Sequence, residues 1–176
     1  VYPRSLTESR NLPDGDIVEA VAVTLIPFSV SCPDSASDTL ERAGEISNQT
    51  DDFRLKTISY CNIGYVLMKQ NKLAEALERF NESMELAKKM KDTLTSSVLH
   101  YLTADVKLQQ SKYNEAISYA NESLKLANQV DYSVGKVYSR RVLSETYFKI
   151  RDYKKAKQIG YEALEYIKEN STYLYY

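Results

Sequence analysis

Tryptophan is missing from this 176-residue sequence, histidine occurs once, cysteine twice and glycine five times. A single histidine and two distant cysteines cannot assemble a His/Cys metal cluster. Five glycines scattered singly make no phosphate-cradling loop. No proline follows Pro33, and only Gly64, Gly135 and Gly160 stand in the last 130 or so residues, so nothing there strongly interrupts a helix. An excess of either charge is absent too: 23 Lys and Arg face 24 Asp and Glu, a net charge of −1. Without a basic block, phosphate-driven nucleic-acid binding has no electrostatic footing. The most apolar stretch, 17–30, contains Glu19 and Pro27 and is too short to cross a bilayer. No positively charged leader opens the chain, and Val1 in place of Met is the start expected of a processed or excised chain, one that has left an effector domain behind.

What the sequence does contain is itself, twice over. Gln70-Asn71-Lys72-Leu73-Ala74-Glu75-Ala76 returns as Gln110-Ser111-Lys112-Tyr113-Asn114-Glu115-Ala116, and Asn81-Glu82-Ser83 returns as Asn121-Glu122-Ser123. Nine of the eighteen positions from Gln70 to Ala87 are identical at an offset of 40, where ordinary residue usage gives about one. A third copy keeps the skeleton with Tyr153, Ala156, Glu162 and Leu164. A period of this length means stacked helical pairs, which make a binding surface far more often than a catalytic pocket.

Apolar residues at three- and four-residue intervals predict six helices, paired as 54–70 with 73–90, 93–110 with 113–129, and 133–150 with 153–169. Short polar links such as Gln70-Asn71-Lys72 and Lys91-Asp92-Thr93 force neighbours antiparallel. Small residues stand where two helix axes must approach: Ala76, Ala116 and Ala156, then two turns later Ser83, Ser123 and Ala163, opposite Gly64, Ala104 and Ser144. Leu67, Phe80, Tyr113, Ile117, Tyr153 and Leu164 are among the residues expected to supply apolar fill. Upstream, Ala36, Leu40, Ala43 and Ile46 stand 40 residues before Ala76, Phe80, Ser83 and Leu86, which marks a degenerate copy. The expected organisation is an extension over 1–15 and one helical repeat domain over 16–176, with copies at about 16–52, 53–92, 93–132 and 133–170.

The repeat resembles the tetratricopeptide repeat. Copy one carries Tyr60, Ile63-Gly64, Leu67, Leu73, Ala76, Phe80 and Ser83 at the places of that pattern, and copy two carries His100, Thr103-Ala104, Tyr113, Ala116, Ala120 and Ser123. Copy three reads Leu143-Ser144, Tyr147, Tyr153, Ala156 and Ala163, with Gly160 in place of a bulky residue. The family's usual period is 34 residues; longer versions are seen in bacterial sensor and regulator proteins and in kinesin light chains. The resemblance implies an all-α, right-handed superhelical solenoid of antiparallel pairs, with the first helices lining a concave wall. It implies a scaffold that binds a protein or peptide, as the sensing or docking part of a bacterial signalling protein.

Carried onto this sequence, the ligand-facing positions are Cys61, Asn62, Tyr65 and Lys69 in copy one, Tyr101, Asp105 and Gln109 in copy two, and Tyr138, Arg141, Glu145 and Lys149 in copy three. Tyrosine faces suit apolar side chains, amides hold a backbone, and an arginine clamps a carboxylate. The repeated Lys and Asn of the chaperone-tail carboxylate clamp are not reproduced. The alternative reading is an enzyme-regulating module that presents Asn62, Asp105, Gln109 or Glu145 to a phosphorylated partner. No nucleophile–base set forms, so the expectation is a non-enzymatic chain without cofactor or metal: His100 sits at a packing position and the acids lie beside Lys and Arg on solvated faces. Cys32 and Cys61 read as two small semi-buried residues, which leaves the compartment open between cytoplasm and periplasm. Asn48, Asn81, Asn121 and Asn170 head Asn-x-Ser/Thr triplets, two of which are simply the repeated Asn-Glu-Ser. The aromatic tail Ser171 to Tyr176 is expected to be an edge covered by another helix or by a second copy of the chain.

Overall fold

The computed structural model describes residues 52–169. They form six α-helices of 17 residues each: α1 (Phe53–Lys69), α2 (Leu73–Lys89), α3 (Thr93–Gln109), α4 (Tyr113–Gln129), α5 (Ser133–Lys149) and α6 (Tyr153–Glu169). Consecutive helices are joined by three-residue links, so one helix with its link repeats every 20 residues and a pair every 40. The architecture is an all-α helical repeat, and no strand occurs among the described residues. The N-terminal extension, residues 16–51 of the degenerate copy, Cys32 and the aromatic tail lie outside those residues.

The links share one device. The middle residue of each adopts left-handed backbone, although none is glycine: Asn71, Lys91, Ser111, Asp131 and Arg151 have φ between 50° and 65°. This reverses the chain and satisfies carbonyls that the helix end leaves open. Lys72 N–H donates to the Leu67 carbonyl at 2.9 Å and Asn71 N–H to Met68 at 3.1 Å. The same six-residue closure recurs from Lys112 to Lys107, Tyr132 to Ala127 and Asp152 to Tyr147. Asp52 and Asp92 then start the first helices of copies one and two by accepting backbone N–H groups of the first turn.

The chain divides into two compact units, one ending at Met90 and the other beginning at Lys91. In the first, α1 and α2 pack with Phe80 wholly buried against Gly64. A methyl group on Gly64 would lie 2.6 Å from the Phe80 ring, so only glycine fits there. The Ser83 hydroxyl donates to the Thr57 carbonyl at 2.8 Å, tying the two helices a second time.

In the second unit α3, α4, α5 and α6 pack in succession. Ser97 and Ser123 exchange hydroxyl-to-carbonyl bonds of 3.0 and 2.8 Å, and Ser139 brings α5 to Ser123 Oγ at 2.7 Å. These are buried polar groups, and each has found a partner, as burial requires. The residues at the places of Gly64 and Phe80 are Ala104 and Ala120 in α3 and α4, then Ser144 and Gly160 in α5 and α6. The first member grows from glycine while the second shrinks from phenylalanine, so each pair solves the same contact with a different division of volume.

Candidate functional site

Tyr101, Asp105 and Gln109 follow one another at four-residue steps along α3, and Tyr138, Arg141 and Glu145 at steps of three and four along α5. Such spacings place each set on one helix face. Across the two helices the rings of Tyr101 and Tyr138 stack with centroids 5.3 Å apart and planes within 16°. One turn on, Arg141 Nη2 donates to Asp105 Oδ2 at 2.6 Å and Nη1 to Glu145 Oε2 at 3.2 Å, while its guanidinium lies 6.0 Å from the Tyr138 ring. A further turn on, Gln109 and Lys149 line a hollow of about 240 Å³ with Asp105 and Glu145. The structure thus gathers all seven expected residues of copies two and three on the face shared by α3 and α5.

The surface they make is partly open. Tyr138 is 45% exposed, Arg141, Glu145, Gln109 and Lys149 are exposed, and Tyr101 and Asp105 are half-buried. Stacked tyrosines form a plate that is apolar on its face and polar at its hydroxyl rim. The arginine is held in place by two carboxylates, so little side-chain freedom remains to be lost when a ligand arrives.

Copy one is different. Tyr65 is half-buried with the Lys69 ammonium 5.2 Å from its ring, but Asn62 is only 4% exposed. The expected ligand-holding amide therefore faces protein, and the aromatic and basic side chains of α1 are what remain accessible. Cys61 is a free thiol, and burial pushes it up to about 12. It is protonated at neutral pH and is no nucleophile there. His100 packs, as its place in the repeat implies: its Nδ1 lies 2.7 Å from the Ser96 carbonyl and its ring meets Tyr119 at 5.9 Å. Among the described residues no group of three His, Cys, Asp or Glu side chains could hold a metal ion, and no helix is long and apolar enough to cross a membrane.

Two residues expected as apolar fill are not covered. Tyr153 is 57% and Leu164 53% exposed, because no described helix packs over that side of α5 and α6. Together with Phe148 and Tyr161 they border a largely apolar hollow of about 850 Å³. Sequence reasoning missed this surface. The signal was present in the copy-to-copy differences, where Asn121 becomes Tyr161 and Ala120 becomes Gly160.

The tetratricopeptide repeat model matches the sequence over residues 55–129 and again over 94–169. The chain belongs to the tetratricopeptide repeat family. Solved structures agree on the fold of these repeats. BtubC (BKLC) from P. vanneervenii is 17% identical, with a TM-score of 0.77 over 94% of this chain and 70% of that one. A signal-transduction ATPase with numerous domains and a tetratricopeptide repeat sensor, from Pyrococcus horikoshii, is 19% identical with a TM-score of 0.75 over 95% of this chain; the match spans 26% of the ATPase. MamA is 14% identical, with a TM-score of 0.61 over 89% of this chain and 81% of that one. No curated protein matches the sequence. Tetratricopeptide repeats are protein-interaction scaffolds, and this array is one of them.

Proposed function

We propose that the face shared by α3 and α5 is the docking site for a peptide segment of a protein partner. The observation that carries this reading is the half-exposed Tyr101–Tyr138 stack continued by the Asp105–Arg141–Glu145 bridge. A partner side chain that is apolar or cationic lies on the Tyr138 plate. Asp105 and Glu145 on one side and Arg141 and Lys149 on the other offer groups of both signs to its neighbours, while Gln109 holds a backbone amide. The setting we propose is the input side of a regulatory or signalling protein, a role supported by the tetratricopeptide repeat sensor of the Pyrococcus horikoshii ATPase.

The test begins with peptides selected from a random library displayed on phage against the whole chain. Replacing Tyr101 or Tyr138 by alanine is expected to weaken the selected peptides by about 1–3 kcal/mol, as for a central aromatic anchor. The stability loss from Tyr101→Ala stays below that of Ala116→Leu, because Ala116 is completely buried between helices and extra volume there costs about 1–3 kcal/mol. Peptides that bind equally well to the Tyr101→Ala and Tyr138→Ala proteins would overturn the assignment. A turnover of a phosphorylated protein lost on replacing Asp105, Gln109 or Glu145 would favour the enzyme-regulating alternative instead.

A further inference from the structure

Charges of both signs are interspersed along most of the chain, and the link between α5 and α6 is the exception. From Lys149 to Lys157 five cations accompany the single acid Asp152, a net charge of +4. The matching stretch 69–77 holds Lys69, Lys72 and Glu75, a net of +1, and 109–117 holds Lys112 and Glu115, a net of zero. The fold does not ask for this change. In copy two Glu115 ties α4 to α3 by its bond to Lys107 at 2.7 Å. In copy three Lys155 makes the tie, its ammonium 5.1 Å from the Tyr147 ring. The contact between helices is kept while the charge beside it is reversed. The reversal runs against the helix's own preference, since a first turn favours acids; Glu75 and Glu115 supply them in α2 and α4, and α6 has none there. Lys149, Arg151 and Lys154 are exposed and enter no ion pair among the described residues.

The place of these groups decides what they meet. Ile150 and Arg151 stand at the tip of the α5–α6 hairpin, where copy two has Gln110 and Ser111, and Ile150 is 42% exposed among the cations. A further helix packed on α5 and α6 leaves this tip open: with α5 in place beside α3 and α4, Gln109, Ser111, Asn114 and Glu115 are all exposed. We propose that the tip is a membrane-surface contact, which docks on anionic phospholipid headgroups with Ile150 dipping between them. Clusters of about four to eight Lys and Arg bind anionic lipid, and an apolar side chain among them gains burial at the headgroup boundary. A projecting tip meets a plane, whereas an extended peptide is held by a groove. A nucleic-acid strand is opposed by Asp105 and Glu145, which border Lys149 along one hollow.

The test is co-sedimentation of the whole chain with sucrose-loaded vesicles of phosphatidylcholine, alone or with about 30% phosphatidylserine. Binding to the phosphatidylserine vesicles only, and release on raising the salt from about 0.05 to about 0.5 M, is the expected result. The decisive variant gives copy three the tip of copy two: Ile150→Gln, Arg151→Ser and Lys154→Asn together. Each replacement already stands at the same place of the same fold, as Gln110, Ser111 and Asn114, so helical circular dichroism is unchanged while binding falls about tenfold or more. Arg151→Lys keeps the charge and binds as the unaltered chain does. Equal sedimentation with neutral vesicles, no sedimentation, or an undiminished triple variant overturns the proposal. So does tip-dependent binding of polyglutamate or single-stranded DNA at concentrations that leave the vesicles unbound, which would name a polyanion other than lipid. Peptides selected for the α3–α5 face bind the triple variant undiminished, since none of its three residues belongs to that face.

Discussion

Replacing Arg151 by glycine is expected to stabilise the second unit. Arg151 has φ 65°, on the left-handed side where an L-residue with a β-carbon is crowded at a cost of about 1–2 kcal/mol. Glycine removes that cost but widens the unfolded ensemble, which offsets about 0.5–1 kcal/mol. The net gain is about 0.5–1 kcal/mol. The bonds that close the link, Arg151 N–H to Phe148 at 3.0 Å and Asp152 N–H to Tyr147 at 2.9 Å, are backbone bonds and survive the change. Arg151→Ala serves as the control, because it removes the same exposed side chain and keeps the crowding. Asn71→Gly serves as a second, since asparagine enters left-handed backbone readily and has less to gain. Urea denaturation followed by circular dichroism resolves the difference: with a slope of about 1–3 kcal/mol per molar, the Arg151→Gly midpoint rises by roughly 0.2–1 M. An Arg151→Gly protein no more stable than Arg151→Ala would refute the reasoning.

Gly64→Ala is expected to destabilise the first unit by about 1–3 kcal/mol, since the new methyl would lie 2.6 Å from the Phe80 ring. In a Phe80→Leu background the same change costs measurably less, and a double-mutant cycle in urea reads the coupling; equal costs in both backgrounds would show that the ring is not the obstacle. Cys61 is expected to react with iodoacetamide at pH 8 about a hundredfold or more slower than an unfolded cysteine, because burial holds its thiol at about 12 against the ordinary 9.0. The sign for stability follows. The thiol's contribution is whole below pH 9 and is lost as the pH rises towards 12. Mass spectrometry of the peptide that contains Cys61 measures the rate, and alkylation as fast as in urea would contradict the assignment.

The helices were legible to within one residue at every end, because hydrophobic period and polar links mark the same boundaries three times over. The face shared by α3 and α5 was legible for the same reason: a repeat fixes which residues of successive first helices lie side by side. Asn62 was misplaced because a polar residue at a surface-like position carries no mark of burial in the sequence. The left-handed links gave no glycine signal, since Lys91, Ser111 and Arg151 accept strain that the bonds around them hold in place. Ser83 and Ser123 read as small residues only; that their hydroxyls reach carbonyls 26 residues away depends on tertiary placement. Tyr153 and Leu164 fit the apolar pattern of a covered helix, and pattern alone cannot say whether the cover is present.

The unequal division of volume between paired helices bears on how this chain avoids confusing its own parts. α2 and α4 are identical at seven of their 17 positions, so during folding each is a candidate mate for either α1 or α3. A wrong union of α2 with α3 sets the Phe80 ring against the β-carbon of Ala104, which occupies the very space that Gly64 leaves vacant. The opposite error, α4 on α1, puts Ala120 before Gly64 and opens a void the size of a phenyl ring, at a cost of about 3–5 kcal/mol. Steric lock and key thus sort similar segments by identity as well as by proximity. Exchanging residues 73–89 with 113–129 would scramble the array unless positions 64 and 104 travelled with them.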